Sequence, residues 1–175
     1  EEFVYSKFDK SAYGPIRGWF IGSGKICQST KTKVNKYRRL YLVGSSCRQG
    51  SNETANWVLY SDDFGETWEF LGGCDVSPMP NGDEPKAEEL PDGSVLLSSR
   101  CNGGRRFNIF TFTDTKKAEG SWGEVAFSGQ SNNGVTALNN ACNGEVMLVP
   151  VTRKKDNQKM FLLLQSVPFG SGRSN

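Results

Sequence analysis

The stretch YSDDFGETWEF, Tyr60 to Phe70, sets two aspartates, a glycine, a glutamate and a threonine between apolar segments and closes them with a tryptophan. Asp62 and Asp63 are suited to fold their carboxylates onto nearby backbone N–H groups, and Gly65 to take positive φ, so the segment reads as a tight turn. Trp68 then pins the turn by burying a large ring. The expectation is a hairpin with a structural corner.

Working outward, strand signals recur at short intervals. GWFIGSGKICQ, RRLYLVGSSC, NWVLYSDD, WEFLGG, GSVLLSSRC, RRFNIFTFTD, GEVAFSG, EVMLVPVTR and KMFLLLQSV are short runs rich in β-branched and aromatic residues, each bounded by turn formers. Helical periodicity is almost absent, so the fold class is all-β. PDGS (Pro91 to Ser94), CNGE (Cys142 to Glu145) and KKDNQK (Lys154 to Lys159) carry hairpin-turn chemistry, and the last two, one strand apart, imply a meander. Meanders in series suit a β-propeller blade and also a sandwich. A faint repeat favours the propeller: FTDTKKAEGSW, Phe112 to Trp122, has the same polar turn followed by Trp, and the two tryptophans, Trp68 and Trp122, stand 54 residues apart.

Composition narrows the function. The 175 residues suffice for one unit with a real core, and no apolar run is long enough to span a membrane. With 21 basic and 19 acidic residues the net charge is +2, which offers no broad field for a phosphate backbone, so nucleic acid is not an expected partner. The basic run KTKVNKYRR, Lys31 to Arg39, reads as a solvated hairpin or strand edge. There is no histidine, which removes His-based hydrolase dyads and HExxH zinc sites from this segment. The five cysteines lie 20 or more residues apart, without metal or redox spacing, and read as buried free thiols. No metal or cofactor is expected. The chain opens in mid-pattern with EEFVYSKF and is expected to be an internal piece of a longer protein.

SDDFGETW fits the Asp-box pattern S-x-D-x-G-x-x-W, with Ser61, Asp63, Gly65 and Trp68 in its fixed places. That box recurs on sialidase and some other propellers as a structural turn between the outer strands of a blade. GDEPKAEELPDGSVLLSSR, Gly82 to Arg100, resembles the sialidase segment in which a catalytic glutamate precedes a proline and an arginine follows across a hairpin; here Glu84 precedes Pro85 and Arg100 lies 16 residues on. LLLQSVPFGSGRSN resembles the later arginine loop of that family and makes Arg173 a second substrate arginine. Together these motifs resemble the exo-α-sialidase (neuraminidase) family, above all the bacterial type with Asp-box (BNR) repeats.

The resemblance implies that residues 1–175 form the central part, about three blades, of a six-bladed β-propeller truncated at both ends. It implies retaining hydrolysis of terminal α-linked sialic acids from glycoproteins, gangliosides and oligosaccharides, with Arg100 and Arg173 clamping the sugar carboxylate. A carboxylate on the anomeric carbon discourages an anionic nucleophile and favours a neutral tyrosine activated by a glutamate. By resemblance Glu84 is that glutamate, while the tyrosine, the aspartate acid/base and a further arginine lie outside this segment. Glu88 and Glu89 compete with Glu84, and Arg105 or Arg106 with Arg100. Without the resemblance, Glu84 is one residue of a solvated acidic loop, Arg100 a snorkelling strand-end side chain, Arg17 and Asn143 turn residues, and the tryptophans packing residues. The expected compartment, also by resemblance, is periplasmic, secreted or cell-surface. Two other readings stay open: a non-catalytic Asp-box propeller that binds glycans or proteins, and a glycosidase using paired carboxylates on a neutral sugar, in which the two arginines would not converge.

Overall fold

The structure is a computed structural model, and it describes residues 2–22, 25–101, 104–127, 131–132, 135–136 and 143–166. Arg173 lies outside the described residues. The chain enters through a short helix, α1 (Glu2–Phe8), which the strand-rich pattern does not anticipate. Seven residues are too few to hold a helix by propensity; this one is held by burying Val4 and Phe8. The Phe8 ring packs edge-on against Trp57 at 4.9 Å and Phe70 at 5.2 Å.

The first sheet contains β1 (Ile16–Ile21), β2 (Cys27–Val34), β3 (Tyr37–Arg48), β4 (Thr54–Ser61), β5 (Glu69–Phe70) and β6 (Met79–Pro80). β3 is long enough to pair with β2 along its first half and β1 along its second, so the run expected as one strand, GWFIGSGKICQ, divides in two. On the other side of β3, β4 pairs without interruption from Leu40↔Ser61 to Cys47↔Thr54, and β5 and β6 share the outer edge of β4.

The second sheet repeats this order. β7 (Asp83–Glu89), β8 (Val95–Cys101) and β9 (Gly104–Asp114) form a meander, and β10 (Glu119–Trp122) and β11 (Ala126–Phe127) divide the far edge of β9. Two short pairs complete the described structure: β12 (Ser131–Asn132) with β13 (Val135–Thr136), and β14 (Val146–Arg153) with β15 (Gln158–Gln165). All pairing is antiparallel, and no sheet closes on itself among the described residues. The expected all-β class therefore holds. Among the described residues no helix is long and apolar enough to cross a membrane.

β7 is the strand that composition hides, since DEPKAEE offers charge and a proline where strands usually carry β-branched residues. It forms because its polar groups find partners. The buried Glu89 carboxylate accepts from Ser29 Oγ, from the Thr30 N–H at 2.6 Å and from Thr30 Oγ1 at 2.8 Å. These bonds tie β7 to β2 of the first sheet. Alongside them Tyr41, Val43 and Val58 from one sheet meet Val95, Leu97 and Phe110 from the other in a shared apolar core. Each of these large side chains contributes about 1.5–3 kcal/mol on burial.

A second core, of Phe8, Tyr13, Ala55, Trp57, Leu59 and Phe70, covers the opposite face of the first sheet. Trp57 is buried, and Trp19, Trp68 and Trp122 pack against the two cores, the role expected of them.

The Ser61–Trp68 corner is a hydrogen-bonded knot. Ser61 Oγ donates to Asp63 Oδ1 at 2.7 Å and accepts the Gly65 N–H at 2.8 Å. Asp63 accepts the Thr67 N–H at 2.9 Å and Thr67 Oγ1 at 2.5 Å, and Trp68 Nε1 donates to the Gly65 carbonyl at 3.0 Å. Gly65 adopts φ +94°, as the turn demands. These bonds hold the Asp63 pKa at about 2, the Thr67 hydroxyl contributing most. Asp62 differs from expectation: its carboxylate pairs with Arg39 instead of capping the turn. At the equivalent corner of the second sheet, Asp114 accepts the Lys116 N–H at 2.9 Å, and Trp122 Nε1 donates to the Leu71 carbonyl at 2.8 Å.

Candidate functional site

The β7–β8 hairpin carries the candidate site. Its turn is tight, with the Leu90 N–H donating to the Ser94 carbonyl at 2.8 Å. From there the register runs regularly from Glu89↔Val95 to Lys86↔Ser98, and then shifts to Asp83↔Arg100. Three steps along β7, from Asp83 to Lys86, face two along β8, which defines a β-bulge at Glu84–Pro85. The one residue by which β7 outruns β8 therefore lies in the Glu84–Pro85 bulge and not in the Pro91–Gly93 turn. A proline cannot donate to a ladder, and this explains why the irregularity falls here.

The bulge aims the side chain. Glu84 has φ +38°, a left-handed conformation that a non-glycine residue adopts at a cost of about 1–3 kcal/mol. Its N–H is capped by Asp83 Oδ1 at 2.9 Å. Its Oε2 lies 3.2 Å from Arg100 Nη1, and the same nitrogen lies 3.2 Å from Asp83 Oδ2. The sequence-predicted pair Glu84 and Arg100 is thus in direct contact, with Asp83 as a third member that the sequence reading did not single out.

Two polar-edged clefts flank this trio. One, of about 370 Å³, is lined by Thr54, Asn81, Asp83, Arg100, Cys101 and Arg106. Arg106 is fixed at its wall by donating from Nη1 to the Pro80 carbonyl at 3.0 Å. The other, of about 330 Å³, joins Asp83, Glu84 and Pro85 to Phe20, Ile21, Ser45 and Cys47 of the first sheet. Asp83 lines both clefts, while Arg100 lines the one rich in guanidinium and Glu84 the largely apolar one. A larger apolar groove of about 490 Å³ lies between α1 and the Ser61–Trp68 corner, and its lining contains no arginine.

Behind Glu84 the environment is cationic. Lys86 and Arg105 are both buried. Burial draws the Lys86 pKa down and Arg105 adds to that, against the opposing pull of Glu145 and Glu84. Arg105 Nη2 sits 2.3 Å from where a Cβ on Gly144 would lie, so glycine is what admits the guanidinium there. Of the sequence-predicted rivals, Arg105 is buried behind the site and Arg106 stands in the cleft. Glu89 is spent on β2, and Glu88 forms an ion pair with Lys25. Arg17 and Asn143 are exposed. Nothing in DEPKAEE sets Lys86 apart, since β7 does not read as a strand.

Cys27, Cys47, Cys74 and Cys101 are free thiols, and burial followed by the Glu88 charge raises the Cys27 pKa to about 11. Among the described residues no group of three His, Cys, Asp or Glu side chains is placed to hold a metal ion.

No family model matches this chain, and searches of curated proteins and of solved structures return no match.

Proposed function

We propose that this chain is the central part of a six-bladed β-propeller exo-α-sialidase that hydrolyses terminal α-linked sialic acids with retention. The observation that carries the reading is the contact of Glu84 with Arg100 at a bulge between two clefts. A planar, permanently charged guanidinium is the group best matched to the sugar's anomeric carboxylate. A glutamate beside it is suited to take the proton of a tyrosine nucleophile, which avoids setting a carboxylate nucleophile against the substrate's own negative charge. Two successive antiparallel meanders, each turning an Asp-and-Trp corner before its outer edge, support the propeller architecture.

In this proposal Arg173 is a second arginine of the clamp. The tyrosine, the aspartate acid/base and a further arginine come from chain outside residues 1–175. Sialylated glycoproteins, gangliosides and oligosaccharides are the substrates, which places the enzyme in the periplasm, at the cell surface or outside the cell. No cofactor takes part.

The testing measurement is release of a fluorescent aglycone from an α-sialoside by the full-length protein and by its Glu84→Gln variant. The reading expects release that falls by at least about a hundredfold in the variant. Absence of release by the intact protein, with sialoglycan binding retained, would favour instead the Asp-box propeller that binds glycans without cleaving them.

A further inference from the structure

We propose that Ser99 and Asn56 are positioning residues for Glu84: a buried polar relay between the two sheets that holds the bulge in the conformation presenting the Glu84 carboxylate to Arg100. The geometric part stands without the sialidase reading, and only its kinetic consequence rests on it.

Ser99 lies on β8 and Asn56 on β4, and both are fully buried. The Ser99 hydroxyl has one proton, and its shortest acceptor is Asn56 Oδ1 at 2.5 Å. Its oxygen accepts the Asp83 N–H at 3.1 Å. Asn56 is oriented from behind, its Nδ2 donating to Ser45 Oγ at 2.8 Å. The chain of bonds therefore runs Ser45, Asn56, Ser99, Asp83 N–H and ends one residue before Glu84.

The neighbouring backbone is shaped to sit on this relay. A Cβ on Gly82 would lie 2.2 Å from Asn56 Oδ1 and 2.7 Å from Ser99 Oγ, so only glycine allows the close approach. On the near side, the Asn81 N–H donates to the Thr54 carbonyl at 2.8 Å, and Asn81 has φ +54°. Residues 81 to 83 are thus fixed to strands of both sheets, and of the two left-handed residues here, Asn81 and Glu84, it is Glu84 that lies in the bulge. Strain of this kind persists only where the surroundings over-determine it, and the relay is what does so here. Without it, the extra residue is free to migrate along β7, and a slip of one position turns the Glu84 side chain to the other face of the sheet. Arg100 stays in place, because β8 pairs with β9 through Arg100↔Arg105 on its other side.

A purely structural hydrogen bond would affect stability alone, whereas a positioning relay changes where the carboxylate stands. The test uses the full-length protein with Ser99→Ala, Ser99→Thr, which keeps the hydroxyl, and Gly82→Ala as a second disruption. Crystal structures of the Ala variants are expected to show Glu84 out of contact with Arg100 and its φ negative. On a fluorescent α-sialoside, Ser99→Ala and Gly82→Ala should lower kcat by about 10–100-fold with KM within about twofold, the size expected for a misplaced catalytic group, and Ser99→Thr should recover most of the loss. If Glu84 keeps its positive φ and its Arg100 contact in Ser99→Ala, the relay does not position it. Equal kcat in Ser99→Ala and wild type overturns the kinetic part of the proposal. A wild-type protein that releases no aglycone sinks the sialidase reading instead, and the crystallographic comparison still decides the relay.

Discussion

Arg39 and Asp62 meet in a two-point fork, Nε to Oδ1 and Nη2 to Oδ2, both at 2.7 Å, with the guanidinium entirely buried and the carboxylate partly exposed. The fork does more than pair charges. Arg39 Nη1 donates to the Thr115 carbonyl at 2.6 Å and Nη2 to the Lys116 carbonyl at 3.1 Å, so one side chain of β3 reaches the β9–β10 corner of the second sheet. Its guanidinium also lies over the Tyr60 ring at 4.8 Å. Arg39 therefore joins the two repeated corners, and explains why Asp62 is not available to cap its own turn.

Removing the guanidinium should loosen the seam between the sheets. Arg39→Ala leaves two carbonyls and a partly exposed carboxylate without their donor, a loss expected to cost at most about 3–5 kcal/mol. Arg39→Lys should recover only part of it, since an ammonium cannot make the fork and reach both carbonyls together. Urea denaturation of the three proteins decides the matter. Equal midpoints for Arg39→Lys and wild type would mean that a point charge suffices.

The Ser61–Trp68 corner should weaken in acid. The folded-state pKa of Asp63 is lowered to about 2 from an ordinary 3.8 by hydrogen bonds to its ionised form. A depressed carboxylate contributes stability above its unfolded pKa and loses it as pH falls through the folded one. The contribution is therefore complete above about pH 5 and fades between about pH 4 and pH 2. Asp63→Asn should be less stable than wild type at about pH 6, and the gap should shrink as the pH approaches about 2. Denaturation midpoints across that range test it, and a gap independent of pH would assign the corner's strength to shape alone.

The corner and the strands were legible in the sequence because turn chemistry and β-branched runs act over a few residues. Ser61, Asp63, Gly65 and Trp68 bond to one another, so their pattern is self-contained. β7 was not legible as a strand, because its stability comes from Ser29 and Thr30 some 60 residues away in the chain. The same holds for the site. Glu84 and Arg100 stood out through their spacing and resemblance, but the bulge that brings them together depends on Asn56 and Ser99, two ordinary polar residues in apolar strands. α1 was missed for the related reason that Phe8 is paid for by rings of the first sheet and not by helical propensity.

Under the proposed sialidase function, Asp83 should restrain substrate binding. Arg100 Nη1 is shared at 3.2 Å between Asp83 and Glu84, so a substrate carboxylate approaching that guanidinium meets two negative charges already on it. Asp83→Asn removes one of them, while its Oδ1 still accepts the Glu84 N–H that supports the bulge. Asp83 is more than half exposed, so solvent screens its charge and the effect is bounded at about 0.5–1 kcal/mol, or roughly two- to fivefold. The expected result on an α-sialoside is a KM lowered by that factor with kcat little changed, and a difference that narrows as salt is added. The methyl ester of the same sialoside, which has no carboxylate to compete, should show no such preference. A lowered KM for both substrates would place the effect in the shape of the cleft and not in competition for Arg100.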